Sequence, residues 1–322
     1  MIEIPVVISA KNEAFALGAC LDSLLVARRY AEERLSLRLD LVVVLDDCTD
    51  GSGEIARARG VRTLESSGGK VAAQRAGLRP SPFCIFSDAD IAVAPDTLFA
   101  LATVMLADPL AQVATPRRVP LAPMRRTLLA RALYVYNLHR GFQSERTWFS
   151  GKLFAIRSWS IPTCAEVAER AARLPGDPFY ELERGVFIDD IYLSRTIVEA
   201  HGPRALAESA EGCIYFRAPE TWRGMYRYFR RMRREVERID LLFPESRATH
   251  ARFGRRHTDE SKIADAPGLD RWLFRLFAVA VMGCRLLYRA DRALTRHFLR
   301  VPRPDWIPIL ETKSPIDPRM LP

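Results

Sequence analysis

Apolar and polar positions alternate in blocks along the first hundred residues. Residues 4–8 form a short β-branched run that reads as a buried strand. Residues 13–29 carry Phe15, Leu17, Cys20, Leu21, Leu24 and Leu25 at helical spacing. Residues 39–45 are continuously apolar, the pattern of a parallel strand buried on both faces. The same reading predicts a helix over 52–59, a strand over 61–64, a helix over 70–78 and a strand over 83–86. A further helix over 95–107 has proline at its start. Strand–helix alternation of this kind predicts an α/β chain with a doubly wound, mostly parallel sheet, helices on both faces and right-handed crossovers.

The middle of the chain is less regular. A strand is expected over 113–119, a helix over 124–142, an apolar strand over 153–156 and helical structure over 162–180, broken by Pro175, Gly176 and Pro178. Phe187-Ile188-Asp189-Asp190 opens a helix running to residue 200, and 210–217 reads as a strand. Residues 224–242 read as a strongly basic helix, and 270–299 as one or two basic amphipathic helices. From Pro302 onward six prolines suggest an extended surface tail. The expected division is an α/β domain over 1–220, in two halves meeting at about residue 110, a basic helical extension over 221–300, and a Pro-rich tail over 301–322.

Composition narrows the class. The 322 residues are 48% hydrophobic and 27% charged, which excludes wholesale disorder and leaves room for a normal core. Six scattered cysteines without a CxxC pair argue against a disulfide framework or zinc ribbon and favour a reducing compartment. No basic-then-apolar leader opens the chain and no uncharged run reaches membrane-spanning length, so the expected location is cytoplasmic, with peripheral contact on the inner face of the membrane. The net charge is +9, and residues 223–300 alone hold an excess of ten basic over acidic side chains. Only five of the 48 basic residues are lysine, at 11, 70, 152, 262 and 313, so arginine clusters by themselves say little.

Polar clusters fall where the predicted strands end: Ser9 to Glu13 after the first, Asp46-Asp47 after the second, Asp88-Ala89-Asp90 after the fourth. Ligands of open α/β sheets bind at the carboxyl ends of strands. Helix capping is the plainer reading and suits Asp50 or Ser52, but it explains three convergent clusters poorly.

The order of these pieces resembles the family 2 glycosyltransferases, which have a GT-A fold, over about residues 4–235. Asn12-Glu13 stands where the family has Pro-x-Tyr-Asn-Glu, with Ala10 and Lys11 departing from it. Asp46-Asp47-Cys48-Thr49-Asp50-Gly51 matches the family's Asp-Asp-x-Ser/Thr-x-Asp-Gly. Gly69-Lys70-Val71-Ala72-Ala73-Gln74-Arg75-Ala76-Gly77 corresponds to its Gly-Lys segment, and Asp88-Ala89-Asp90 to its Asp-x-Asp element. Gly151 to Arg157 resembles the acceptor-side Gly-x-x-x-x-x-Arg. Asp189-Asp190-Ile191-Tyr192-Leu193-Ser194-Arg195 matches Glu-Asp-x-x-Leu-x-x-Arg, with Asp189 replacing Glu.

The resemblance implies an inverting, metal-dependent glycosyltransferase using a nucleotide-diphospho-sugar, UDP ahead of GDP. A hard cation, Mn²⁺ or Mg²⁺, would sit between the donor diphosphate and Asp90, with Asp88 on the ion or the ribose. Ser9, Asn12, Glu13, Asp46, Lys70 and Gly151 would line the donor site, with Asp47 either a ligand or the cap of the next helix. Asp190 is the candidate general base, oriented or tuned by Asp189; the competing reading is a helix-capping pair. Arg230 or Arg231 would meet the diphosphate, or else form a solvated basic face. The acceptor could be a glycan, a lipid-linked saccharide or a small molecule. Residues 226–234 lack the Gln-x-x-Arg-Trp of processive synthases, so transfer is expected to be non-processive. The basic helices with Trp272, Phe274 and Phe277 suggest an anionic membrane surface, the alternative being a helix packed on the catalytic domain or on a dimer partner. Two alternatives stand beside this reading. A sugar-phosphate nucleotidyltransferase would need a Gly-rich basic loop after the first strand, where only Lys11 and Gly18 occur. A nucleic-acid-binding protein using the basic helices leaves the acidic strand ends unexplained, and no nucleic acid is expected.

Overall fold

The computed structural model describes residues 2–139, 147–183, 185–248, 264, 266–299 and 309–316. Eight strands form one sheet in the order β3-β2-β1-β4-β7-β6-β8-β5. They are β1 Ile2–Ala10, β2 Leu37–Asp46, β3 Arg62–Ser66, β4 Cys84–Asp88, β5 Ala92–Val93, β6 Val113–Pro120, β7 Leu153–Ile156 and β8 Leu206–Phe216. β3, β2, β1 and β4 run parallel, as do β6 and β8; β7 is antiparallel to both its neighbours, and β5 to β8.

The helices are α1 Ala14–Glu32, α2 Ser52–Ala58, α3 Lys70–Gly77, α4 Thr97–Ala107, α5 Leu128–His139, α6 Cys164–Ala171, α7 Asp189–His201, α8 Trp222–Leu242 and α9 Gly268–Leu294. Both faces of the sheet are covered. Along β2, Leu39, Leu41, Val43 and Leu45 face a core built with α1, α2 and α4, while Val42 and Val44 face a second core with α3, α7 and α8. That two-sided burial is why the stretch is continuously apolar. The crossover helix α3 lies close to the sheet: a Cβ on Gly77 would stand 2.5 Å from Val7 Cγ1.

Several expectations need correction. β8 begins four residues earlier than its apolar end suggests, because Ala207, Glu208 and Glu211 are not buried on both sides. Helix α6 covers only eight of the residues expected to be helical over 162–180. Helix α5 starts at Leu128 rather than 124: the N–H groups of Met124 and Arg125 donate instead to the Glu220 carboxylate, at 2.9 and 2.8 Å. Its expected end over 140–142 lies outside the described residues. Residues 268–294 make one unbroken helix. Of the tail, 309–316 are described, and they are docked rather than loosely extended. Ile309 and Ile316 are buried, and Glu311 accepts from the N–H groups of Glu220 and Thr221 at 3.1 and 3.2 Å.

Helix α8 does not present a uniform solvated basic face. Arg230, Arg234 and Arg238 recur every four residues on one side, and all three are buried. Arg230 Nε donates to Asp291 of α9 at 2.5 Å, Arg234 to Glu181 at 2.8 Å, and Arg238 to Glu235 at 3.0 Å. The guanidinium of Arg234 also lies 5.3 Å from the Phe179 ring. The opposed charges stand in place of hydration and clamp α8 to its neighbours.

Removing one partner of a buried pair leaves the other charge uncompensated. Asp291→Ala is therefore expected to lower stability by about 3 kcal/mol, read as a lower urea midpoint with an unchanged slope.

Candidate functional site

The four parallel strands end at one edge. Register pairs Asp46 with Ser66, Ala10 with Leu45 and Ser9 with Asp88. That edge opens into a cleft of about 1580 Å³ whose far wall comes from α5, α8 and α9. Ser9, Glu13, Asp46, Asp47, Lys70, Asp88, Asp90, Gly151, Asp189, Asp190 and Arg231 line it. Asn12 and Arg230 do not.

Asn12 is exposed with φ 53°, and its Oδ1 accepts from the N–H of Thr49 at 2.8 Å. Asp50 Oδ2 accepts from Ala14 N–H at 2.9 Å, and Ser52 Oγ from Glu13 N–H at 3.0 Å. These bonds stitch the loop after β1 to the loop after β2. They are what Asn12 and the Asp50-Gly51-Ser52 stretch do here. Arg230 is turned away into its pair with Asp291.

Asp46 is almost fully buried. Its carboxylate receives Lys11 Nζ and the N–H of Gly69, both at 2.9 Å. Gly68 and Gly69 have φ of 103° and 93°, a region open to glycine, so the carboxylate holds a loop that only this sequence forms easily. Asp47 projects into the cleft with its side chain 58% exposed. It does not cap α2, whose N-cap is Gly51.

The centre of the site is Lys70. Its ammonium stands 2.8 Å from Asp88 Oδ1 and 3.3 Å from Asp189 Oδ1, and it donates to the carbonyl of Gly151 at 3.0 Å. Burial disfavours the charge, but Asp189, Asp88 and Asp190 outweigh it and hold the pKa above the ordinary lysine value. Lys152 lies 3.6 Å from Asp90 Oδ1 and 3.9 Å from Asp88 Oδ2 and is likewise held charged against burial.

Asp189 and Asp190 open α7 but make no side-chain cap. Asp189 Oδ2 instead accepts from Gln74 Nε2 at 2.5 Å, and Asp190 Oδ2 from the N–H of Gly151 at 2.8 Å. Burial, and then the neighbouring Asp189, push Asp190 up to about 6, against the opposing pull of Lys70. A Cβ on Gly151 would stand 3.2 Å from both acids, so glycine is what lets the backbone reach Asp190. Glu13 is raised to about 7, mainly by burial, with Lys313 acting against it.

Four polar atoms around this edge are buried without a hydrogen-bond partner: Ser9 Oγ, Glu13 Oε2, Asp90 Oδ1 and Asp190 Oδ1. Such orphans are uncommon, and here they leave hydrogen-bonding capacity open toward the cleft. The sequence reading missed Lys11, Gln74, Lys152 and Lys313 as site residues. A signal existed: four of the five lysines in an arginine-rich chain line this cleft, and the fifth, Lys262, lies outside the described residues. Arg157 and Arg195 of the matched motifs are structural. Arg157 donates to the carbonyl of Ala111 at 2.8 Å and Arg195 to Asp240 at 2.7 Å.

Residues 6–161 match the family model Glycosyl transferase family 2. Among solved structures, glucosyl-3-phosphoglycerate synthase from Mycobacterium tuberculosis, in complex with Mn²⁺, uridine-diphosphate-glucose and phosphoglyceric acid, is 19% identical. The match covers 64% of this chain and 69% of that one, with a TM-score of 0.39. Mannosyl-3-phosphoglycerate synthase from Rubrobacter xylanophilus is 18% identical over 74% of each chain, with a TM-score of 0.48. No curated protein matches the chain.

Lys70→Met is expected to leave Asp88, Asp189 and Asp190 without their ammonium and to cost about 3–5 kcal/mol at pH 8. At pH 5 Asp190 takes up its proton and part of the loss returns. Urea titrations at the two pH values check this.

Proposed function

We propose that the chain, whose residues 6–161 match the Glycosyl transferase family 2 model, moves a sugar from a nucleoside-diphospho-sugar to an acceptor hydroxyl, with inversion and Asp190 as general base. The observation that carries this reading is the setting of Asp190. One of its oxygens is fixed by the Gly151 N–H, while the other is buried in the cleft with no hydrogen-bond partner. In the reaction the acceptor oxygen bonds to the anomeric carbon as the bond from that carbon to the diphosphate breaks. The hydroxyl proton passes to Asp190 Oδ1. Asp189, held between Gln74 and Lys70, fixes the start of α7 and so the aim of Asp190.

The strand-end acids fit a divalent cation. Asp88 and Asp90 offer hard oxygen donors, and Asp90 Oδ1 and Glu13 Oε2 lack hydrogen bonds. Among the described residues no group of three His, Cys, Asp or Glu side chains forms a metal cluster. A cation held by two carboxylates would complete its shell with diphosphate oxygens, the usual habit of Mg²⁺ and its relatives. When bound, Mn²⁺ or Mg²⁺ supplies neutralisation of the charge developing on the departing nucleoside diphosphate. Lys70 and Lys152 offset part of the charge of these acids, so the site stays net acidic, which suits entry of a cation. In this reading Asp47 and Ser9 would meet the nucleoside and Arg231 the diphosphate; all three line the cleft.

Transfer is read as non-processive. No described helix is long and apolar enough to cross a membrane. The nucleic-acid alternative leaves the acidic strand ends unexplained, and α8 turns Arg230, Arg234 and Arg238 inward onto carboxylates.

Two outcomes test the reading. UDP or GDP with Mn²⁺ should raise the melting temperature, by about 2.7 kcal/mol of stabilisation at a hundred times the dissociation constant. Asp90→Ala should abolish the metal-dependent part of that shift; a shift indifferent to Mn²⁺ would refute the cation assignment. Asp190→Asn should remove transfer while keeping the nucleotide shift. In the wild type, kcat should rise with pH through about 6, as Asp190 loses its proton. The same raised pKa makes Asp190 a stabilising group at low pH, and its contribution is lost as pH climbs from the ordinary aspartate value through 6. Asp190→Asn should therefore raise the melting temperature more at pH 8 than at pH 4.

A further inference from the structure

The wall of the cleft opposite the strand ends has a different chemistry. Leu133 of α5, Met225 and Phe229 of α8, and Phe277 and Val281 of α9 line it and pack on one another. Arg285 and Arg289 of α9 line the cleft beside them, and Arg217 lines it from the end of β8. The four cleft lysines are each paired with a carboxylate. These three arginines have no carboxylate partner among the described residues, and Arg217 Nε is buried without a hydrogen bond. An apolar wall with guanidinium groups that no carboxylate neutralises suits a ligand that is anionic at one end and hydrocarbon at the other.

Helix α9 continues the theme outward. Its inner side buries Leu273, Ala280, Cys284 and Tyr288. Its outer side leaves Trp272 51%, Val279 66%, Met282 62% and Leu286 61% exposed. Arg271, Arg275, Arg285 and Arg289 are exposed on the same helix. A long helix with an apolar outer stripe and arginines beside it fits the interface of an anionic bilayer. A two-fold contact between copies of this stripe would set its arginines against one another, which works against self-association.

We propose that the α5–α8–α9 wall is the acceptor subsite, and that the acceptor is a lipid bearing both the reacting hydroxyl and a phosphate, met at an anionic membrane surface on which the outer stripe of α9 lies. The word acceptor rests on the reading of Asp190 as base; the lipid site itself does not. A soluble phosphorylated acceptor would use the arginines but would leave the apolar wall and the outer stripe without purpose.

The test is co-sedimentation of the full chain with phosphatidylcholine vesicles, with and without phosphatidic acid, beside a melting-temperature assay with glycerol 3-phosphate and, separately, with UDP and Mn²⁺. The chain should sediment with phosphatidic acid vesicles and not with phosphatidylcholine alone. Arg285→Glu with Arg289→Glu should weaken that association by about tenfold or more. Leu286→Asp should also weaken it, with the UDP shift intact in both variants. Arg57→Glu with Arg204→Glu changes the net charge equally at exposed positions outside the cleft and should have little effect. The proposal is overturned by any of four results: equal loss in that control pair, a glycerol 3-phosphate shift without vesicle association, a dimer abolished by Leu286→Asp without vesicle association, or no binding of either phosphate. Vesicle binding that survives while the UDP shift is absent supports the lipid site and strikes the donor reading instead.

Discussion

The structure around the cleft depends on one ammonium group. Lys70 gathers Asp88 from the end of β4, Asp189 from the start of α7 and the Gly151 carbonyl before β7. Each of those acids would be costly to bury alone. Together with Lys70, Lys152 and the adjoining Asp90 and Asp190 they make a compact cluster in which carboxylates outnumber ammonium groups. The same arrangement explains why two neighbouring aspartates take different parts. Asp189 is fully engaged by Gln74 and Lys70, while Asp190 keeps one oxygen unbonded and a pKa pushed toward neutrality.

A second layer of charge pairs holds the far wall. Arg230, Arg234 and Arg238 tie α8 to α9 and to the segment before α7, and Glu237 accepts from the hydroxyls of Tyr180 and Tyr288 at 2.8 and 2.7 Å. The tail closes the circuit. Glu311 caps the start of α8 so closely that a side chain on Gly224 would overlap it, and Lys313 reaches back to Glu13 at the strand-end edge. The division of labour follows side-chain chemistry. Arginine's planar fork suits two-sided pairing inside the helical layer, and lysine's compact charge suits the crowded strand ends.

Much of this was legible in the residues. The strand–helix alternation fixed the parallel half of the sheet, and the acidic clusters after β1, β2 and β4 marked the edge that lines the cleft, because side chains at the ends of parallel strands converge there. Where the reading failed, the reason was partner choice. Asn12 and Arg230 carried suitable chemistry, but Thr49 and Asp291, 37 and 61 residues away, claimed them. Lys152 and Lys313 were visible only as rare lysines, since nothing local says which acid each will meet.

The sequence by itself determined the fold class, the order of the strands' polar ends and the identity of the acids, because periodicity and motif spacing are local properties of the chain. Only the tertiary structure decided which of those groups are free. Hydrogen bonds and ion pairs formed over long sequence separations consumed Asp46, Asn12 and Arg230, left Asp190 and Asp90 each with an orphaned oxygen, and brought the tail's Lys313 to Glu13 across 300 residues.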